Sequence, residues 1–262
     1  MKALRNCRRA LGRVSVGQTM KASSSACAVF LVALTRPTLA APVAGPPTTA
    51  KIPAGPFLTG SNEGAEDERP TRTVKVAAFR IDLTEVTRGA YSKCVSAKRC
   101  VPVVGITGAA LEPDTAALPV TSVSWDEAKR FCQFVRGRLP TEAEWERAAR
   151  GVDGRAYPWG NELSCVQANW GNFDNEGPCA GKTPGKPVAV GSYPQGATAD
   201  GVLDLAGNVW EWVKDKYEAA PSRRVVKGGS CCSYFVPPRA ANRNAWEPAH
   251  RDSDLGFRCV YR

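Results

Sequence analysis

Along this chain the firmest pattern is the helical spacing of Ala128, Phe131, Cys132 and Val135 inside SWDEAKRFCQFVRGRL, one apolar face among charged neighbours. It predicts a helix. Ser124 with Glu127 three residues on supplies a capping box at its start, and Gly137 is expected to end it. A second helix is predicted in PTEAEWERAARG, where Thr141 and Glu144 repeat the box and Gly151 closes the last turn. Upstream, TVKVAAF alternates as a half-buried strand does, beside a turn-rich acidic loop. Beyond the second helix the pattern thins into long Gly/Pro/Asn-rich stretches, which predict much irregular backbone. Ordering each such residue costs about 1–2 kcal/mol, so disulfides, tryptophans or metal ions must pin these loops. No repeat, heptad pattern or second domain boundary appears.

The N-terminal segment follows another logic. A basic region (Lys2, Arg5, Arg8, Arg9, Arg13, Lys21) precedes the nine-residue apolar run ACAVFLVAL and the small-residue site TLAAP, which reads as a secretory signal over residues 1–40 cleaved near Ala40. A start at Met20 rather than Met1 would give a signal of more ordinary length. Cys27 stands at the start of the apolar run and not after it, which argues against lipid modification. An uncleaved anchor is the alternative, but the run is far below the roughly 20 residues a span needs. The expected location is therefore secreted or periplasmic, with no stable membrane span after cleavage. Residues 41–50, APVAGPPTTA, read as a Pro/Ala/Thr linker, with a single domain over 51–262 that starts near Ile52. The formal charge of +10 changes meaning once the leader is set aside. Seven of the 35 basic residues and no acidic ones lie in it, leaving 28 against 25, or +3. That is an ordinary surface, and nucleic acid is not an expected partner.

Beyond the leader there are eight cysteines, and in an exported chain an even number reads first as disulfides. Cys94 and Cys100 bracket a short loop and Cys165 and Cys179 a longer one, so local pairing of each is expected. Metal ligation by cysteine is the weaker reading, because no C-x2-C pair occurs and the domain has one histidine, His250. A lone histidine also removes a Ser-His-Asp triad from consideration. Cys231 and Cys232 are adjacent, in VKGGSCCSYF. Their α-carbons are fixed about 3.8 Å apart, below the usual bridge range, so a mutual disulfide would be strained. In an extended segment they would also face opposite ways and could not chelate one ion. Free buried thiols, bridges to other cysteines, a vicinal disulfide and a metal site all stay open.

RLPTEAEWERAARG, YPWGNE, DLAGNVWEWVKD, VVKGGS and GFRCV, with the opening IPAGPFLTGS…ERPTRTVKVAAFRIDLTEVT, resemble the formylglycine-generating enzyme family, also called sulfatase-modifying factors. The resemblance covers about Lys51 to Arg262. It implies an α+β fold, the C-type-lectin-like formylglycine-generating-enzyme fold, with little regular secondary structure and disulfide stabilisation. It further implies a Cys132–Cys259 disulfide tying the first capped helix to the last strand. A calcium ion is implied at DLAGNVWEW, held by the Asp204 side chain, the carbonyls of Gly207 and Val209, and the Glu211 carboxylate, a set suited to a hard cation. A second calcium site would use Asn169 and the Trp170 carbonyl; its aspartate is not placed, Asp174 being the candidate.

In the family's copper-dependent oxidases the serine of GGS lines the active site, and copper(I) thiolates follow three and eight residues later. Here Ser230 matches the serine, while the two later positions are Ser233 and Pro238, so copper is not expected. The family's sulfoxide-synthase branch holds iron with several histidines, which this domain lacks. Trp145, Trp159, Trp210 and Trp212 are expected in the core, with Trp210 where the family's substrate groove is lined. Glu142, Glu144 and Glu146 read as caps and solvated positions, and Arg239, Arg243 and Arg258 as guanidiniums paired to carboxylates. The resulting expectation is a binding or accessory module, with a peptide or small molecule in a groove around Trp210, Ser230, Cys231 and Cys232. The competing expectation is an oxidoreductase modifying a protein cysteine through a displaced thiol site at Cys231 and Cys232.

Overall fold

The computed structural model describes residues 48–233 and 236–262; the leader falls outside them. Thirteen helices and strands are spread unevenly along the chain. The first are β1 (Thr49–Ile52), β2 (Gly55–Thr59), β3 (Arg72–Val76) and β4 (Phe79–Asp82). Four helices follow, α1 (Arg88–Ser96), α2 (Pro113–Ala116), α3 (Trp125–Phe134) and α4 (Glu142–Arg150). After residues 151–209, which hold a single 3₁₀ turn, come β5 (Trp210–Tyr217), β6 (Ala220–Lys227), β7 (Arg243–Trp246), β8 (Leu255–Gly256) and β9 (Val260–Tyr261). Strand β1 takes in Thr49 and Ala50, which composition alone assigns to the linker. Ala50 is buried and pairs with Ile81, so the folded edge starts earlier than Pro/Ala/Thr content indicates.

The strands form a three-stranded antiparallel sheet β1-β4-β9, a β2-β3 hairpin, and a four-stranded sheet β7-β6-β5-β8 in which only β5-β8 is parallel. Both capping boxes form. Ser124 Oγ accepts from the Glu127 amide and Thr141 Oγ1 from the Glu144 amide, satisfying N–H groups that the first helical turn leaves without partners. Helix α3 ends differently from expectation. Its left-handed residue is Arg136, at φ 61°, and Gly137 does not adopt a positive φ. Gly137 is needed for approach: a β-carbon there would lie 2.8 Å from both the Tyr261 ring and the Val260 carbonyl.

One core packs α1 and α3 against Trp210, Trp212 and Phe257, closed by the Cys132–Cys259 disulfide. Indole hydrogen bonds fasten it, Trp125 to the Val213 carbonyl at 2.8 Å and Trp212 to the Val123 carbonyl at 2.9 Å. A second core sets Trp145, Ala148 and Ala149 of α4 against the β1-β4-β9 sheet, Val213 and Val225. A small third core, around Ala168, Trp170 and Cys179, organises the irregular region with the Cys165–Cys179 disulfide. Cys94–Cys100 locks the end of α1. Glu146 departs from expectation: it is buried, bonded to the Gly60 amide at 2.7 Å and paired with Arg150 at 2.9 Å, because the β2-β3 hairpin closes over α4. Among the described residues no helix is long and apolar enough to cross a membrane.

Candidate functional site

Where β6 ends, Gly228 and Gly229 take φ of 94° and 70°, a left-handed pair that turns the chain back over the protein. Gly228 also lets the Trp145 ring approach; a β-carbon would meet it at 3.1 Å. The turn delivers Ser230 into a polar corner. Its hydroxyl donates to Asp254 Oδ2 at 2.5 Å and lies 3.2 Å from Ser233 Oγ, which itself accepts from the Ser230 amide at 2.9 Å. Burial pushes the Asp254 carboxyl up, with nearby Asp252 acting the same way. Asp254 also accepts the Trp210 amide at its carbonyl, 2.8 Å away, which places Trp210 beside the corner. Motif reading misses Asp254, and its signal is slight, a carboxylate two residues before GFRC.

Cys231 and Cys232 follow in a turn, not an extended segment, so their side chains do not diverge as strand geometry would require. Their sulfurs stand 3.1 Å apart. Cys231 is fully buried and Cys232 half-buried; neither is disulfide-bonded. The hydrogen bond between the sulfurs and burial together push the Cys231 thiol far up, while the same bond lowers Cys232, whose thiolate the Cys231 S–H can stabilise. Ser233 and Pro238 both face Gly229: Pro238 would lie 3.0 Å from a β-carbon there and Ser233 Oγ 3.7 Å. A proline carries no ligand atom, and a hydroxyl bonded inward is a poor partner for a soft ion.

Trp210, Ser230 and Cys231 are buried, with Trp210 packed edge-on to Trp246, while Cys232 is half-buried. A cavity of about 480 Å³ lies elsewhere, between β4, α1 and α3, lined by Leu83, Val86, Ala90, Phe131, Phe134 and Tyr261 among others. His250, the domain's one histidine, stacks on Trp246 at 5.1 Å and is half-buried.

The DLAGNVWEW loop holds the densest buried charge. Arg258, fully buried, sends Nε to both Glu211 oxygens at 3.0 and 2.8 Å and Nη2 to Oε1 at 2.7 Å. Trp145 donates to Oε2 at 2.8 Å. The lone pairs of Glu211 are thus taken by donors, and a guanidinium already supplies the positive charge. Asp204 Oδ2 accepts the Gly191 amide at 2.6 Å. As arranged, Glu211 does not fit as a calcium ligand.

Glu85, not singled out by motif, is buried in the same cluster; Asn208 donates to its Oε1 at 2.9 Å, and its Oε2 has no partner. Burial, then the Asp204 charge, raises its carboxyl well above the usual range. At the second implied calcium site, Asn169 Oδ1 is buried without a partner, which fits an oxygen-seeking cation; the Trp170 carbonyl accepts the Thr183 hydroxyl at 3.1 Å. Asp174, the candidate aspartate, is exposed. Among the described residues no three His, Cys, Asp or Glu side chains gather as a metal cluster.

A helix-to-last-strand disulfide, a glycine-turned serine corner and tryptophan-pinned loops define the class, an α+β domain of the formylglycine-generating-enzyme type. The chain belongs to the sulfatase-modifying factor enzyme 1-like domain family, which matches residues 37–262. It is 31% identical over 282 residues to the formylglycine-generating enzyme of Bos taurus, covering 82% of this chain and 75% of that one. It is 30% identical over 270 residues to the inactive C-alpha-formylglycine-generating enzyme 2 of Mus musculus, covering 82% and 85%. With the serine/threonine-protein kinase pkn1 of Chlamydia caviae it shares 33% identity over 242 residues, 80% of this chain but 37% of the kinase. Among solved structures, PvdO from Pseudomonas aeruginosa superposes with TM-score 0.64 at 25% identity, covering 82% of this chain and 94% of that one.

Proposed function

We propose that this chain is an exported, non-catalytic binding or accessory module of its family, taking a peptide or small-molecule ligand. One observation carries the reading: the two positions facing Gly229, where the resemblance requires copper thiolates, are Ser233 and Pro238, with the Ser233 hydroxyl bonded back to Ser230. Similarity to a relative named inactive is compatible with it. For the ligand this reading takes the cavity between β4, α1 and α3, whose roughly 480 Å³ suits a small molecule or a peptide side chain, because Trp210 and Ser230 are themselves buried. Calcium enters the reading as a structural ion at Asn169 and Trp170 only.

A second reading, oxidation of a protein cysteine through Cys231 and Cys232, rests on their 3.1 Å approach. Copper(I) titration separates the two. The accessory reading expects no tight binding and no formylglycine formed on a C-x-P-x-R peptide. Stoichiometric binding that is lost in Cys231→Ala or Cys232→Ala, or conversion of the peptide, would overturn it. For calcium, isothermal titration should show one site that Asn169→Ala removes and EDTA should lower the melting temperature; no heat and an unchanged melt would reject the ion.

A further inference from the structure

Of the described cysteines, six are paired and two are not, and those two are adjacent, 3.1 Å apart at sulfur, one buried and one half-buried. The inner residue is held by its backbone: the Cys231 amide donates to the Asn208 carbonyl at 3.0 Å, and its carbonyl accepts the Asn172 amide at 3.4 Å. The Cys232 amide donates to Ser230 Oγ at 3.2 Å, and its sulfur lies 3.4 Å from the Gly185 carbonyl. Among the described residues no third His, Cys, Asp or Glu gathers with them. Closing the sulfurs to the roughly 2.05 Å of a disulfide takes about 1 Å of movement. Adjacent residues make a strained bridge, and strained disulfides are the readily exchanged ones.

From this arrangement we infer that Cys231 and Cys232 form a thiol–disulfide exchange centre, with Cys232 as the attacking thiol and Cys231 as the resolving one. The chemistry balances in two steps. Cys232 as thiolate attacks one sulfur of an external disulfide, giving a mixed disulfide and releasing the first partner thiolate. The Cys231 sulfur, losing its proton, then attacks Cys232 Sγ, forming the vicinal disulfide and releasing the second partner thiolate. Two protein thiols are oxidised, one external disulfide is reduced to two thiols, and the protons lost by Cys231 and Cys232 end on the leaving groups. In reverse, the strained bridge oxidises a partner dithiol. This activity needs no copper; it leaves the ligand-binding part of the accessory reading in place and replaces its non-catalytic part, and copper(I) titration tests that reading while the peptide mass below tests this one.

The test uses the full chain with its three disulfides intact and oxidised glutathione as the probe. Wild type should lose both free thiols, and its tryptic peptide Gly228–Arg239 should appear two hydrogens lighter with no glutathione retained. Cys231→Ser should stall with glutathione bonded to Cys232, and Cys232→Ser should lose the reaction, since Cys231 is buried. Glutathione retained on wild type, no loss of thiols, or Cys232→Ser reacting as fast as wild type would each overturn the inference. Should either serine variant fail to fold, the wild-type peptide decides alone.

Discussion

Glu211 and Arg258 show how much one buried pair can organise. Each is fully buried, and Arg258 also donates through Nη2 to the Leu203 carbonyl at 2.9 Å and the Asp204 carbonyl at 3.2 Å, so one guanidinium joins the GFRC segment leading from β8 to β9 to the DLAGNVWEW loop. Removing one partner leaves the other charged and unpaired in the interior, which costs about 3–5 kcal/mol. Glu211→Gln and Arg258→Met should each lose that much in urea unfolding, with or without EDTA. Asp82 gives a pH signature. Burial raises its carboxyl from 3.8 to about 6, although the Cys259 amide and the Tyr261 hydroxyl, each at 2.9 Å, oppose the shift. Between those two pH values the folded chain holds a proton that the unfolded chain has released. The Asp82 contribution therefore favours the fold at the acid end and is withdrawn as pH rises through 6. Relative to Asp82→Asn, wild type should lose stability over that interval, by about 3 kcal/mol at most, as read from melts at fixed pH.

Helix α3 separates two reasons for a glycine near a helix end. Periodicity and capping chemistry place both main helices correctly in the sequence, because these signals are local. The stop is less legible: GRL suggests a left-handed glycine, yet Arg136 takes that conformation while Gly137 makes room for Tyr261 and Val260. A substitution pair distinguishes them. Gly137→Ala should destabilise by about 1–3 kcal/mol through crowding against the last strand. Arg136→Gly should cost nothing or stabilise slightly, since it relieves a left-handed non-glycine residue. Equal losses in thermal melts would show that both positions serve the turn. The Cys231–Cys232 turn teaches the same lesson. A strand-like reading sends neighbouring side chains apart, and a turn brings their sulfurs together.

Across the fold as a unit, three disulfides close loops of very different length. The sequence separations are 6 for Cys94–Cys100, 14 for Cys165–Cys179 and 127 for Cys132–Cys259. Loop-closure entropy orders their contributions at about 2, 3 and 5 kcal/mol. Serine pairs replacing each bridge should follow that order in denaturant unfolding, with the Cys132–Cys259 pair lowest in stability; a larger loss at Cys94–Cys100 would mean that packing, not closure, dominates.

The amino-acid order alone points to the family, the two capped helices, the two local cysteine pairs, the pairing of Arg239, Arg243 and Arg258 with carboxylates, and the absence of sulfur at Ser233 and Pro238. Those are local patterns or motif identities, which travel with sequence. Tertiary packing decides the rest: that Arg258 fills the space beside Glu211, that Glu85 and Asp254 join buried clusters, that Trp210 and Ser230 are buried, and that two neighbouring thiols meet. Each of these depends on which segments distant along the chain arrive at the same place, and burial, lone-pair occupancy and charge balance exist only once they have arrived.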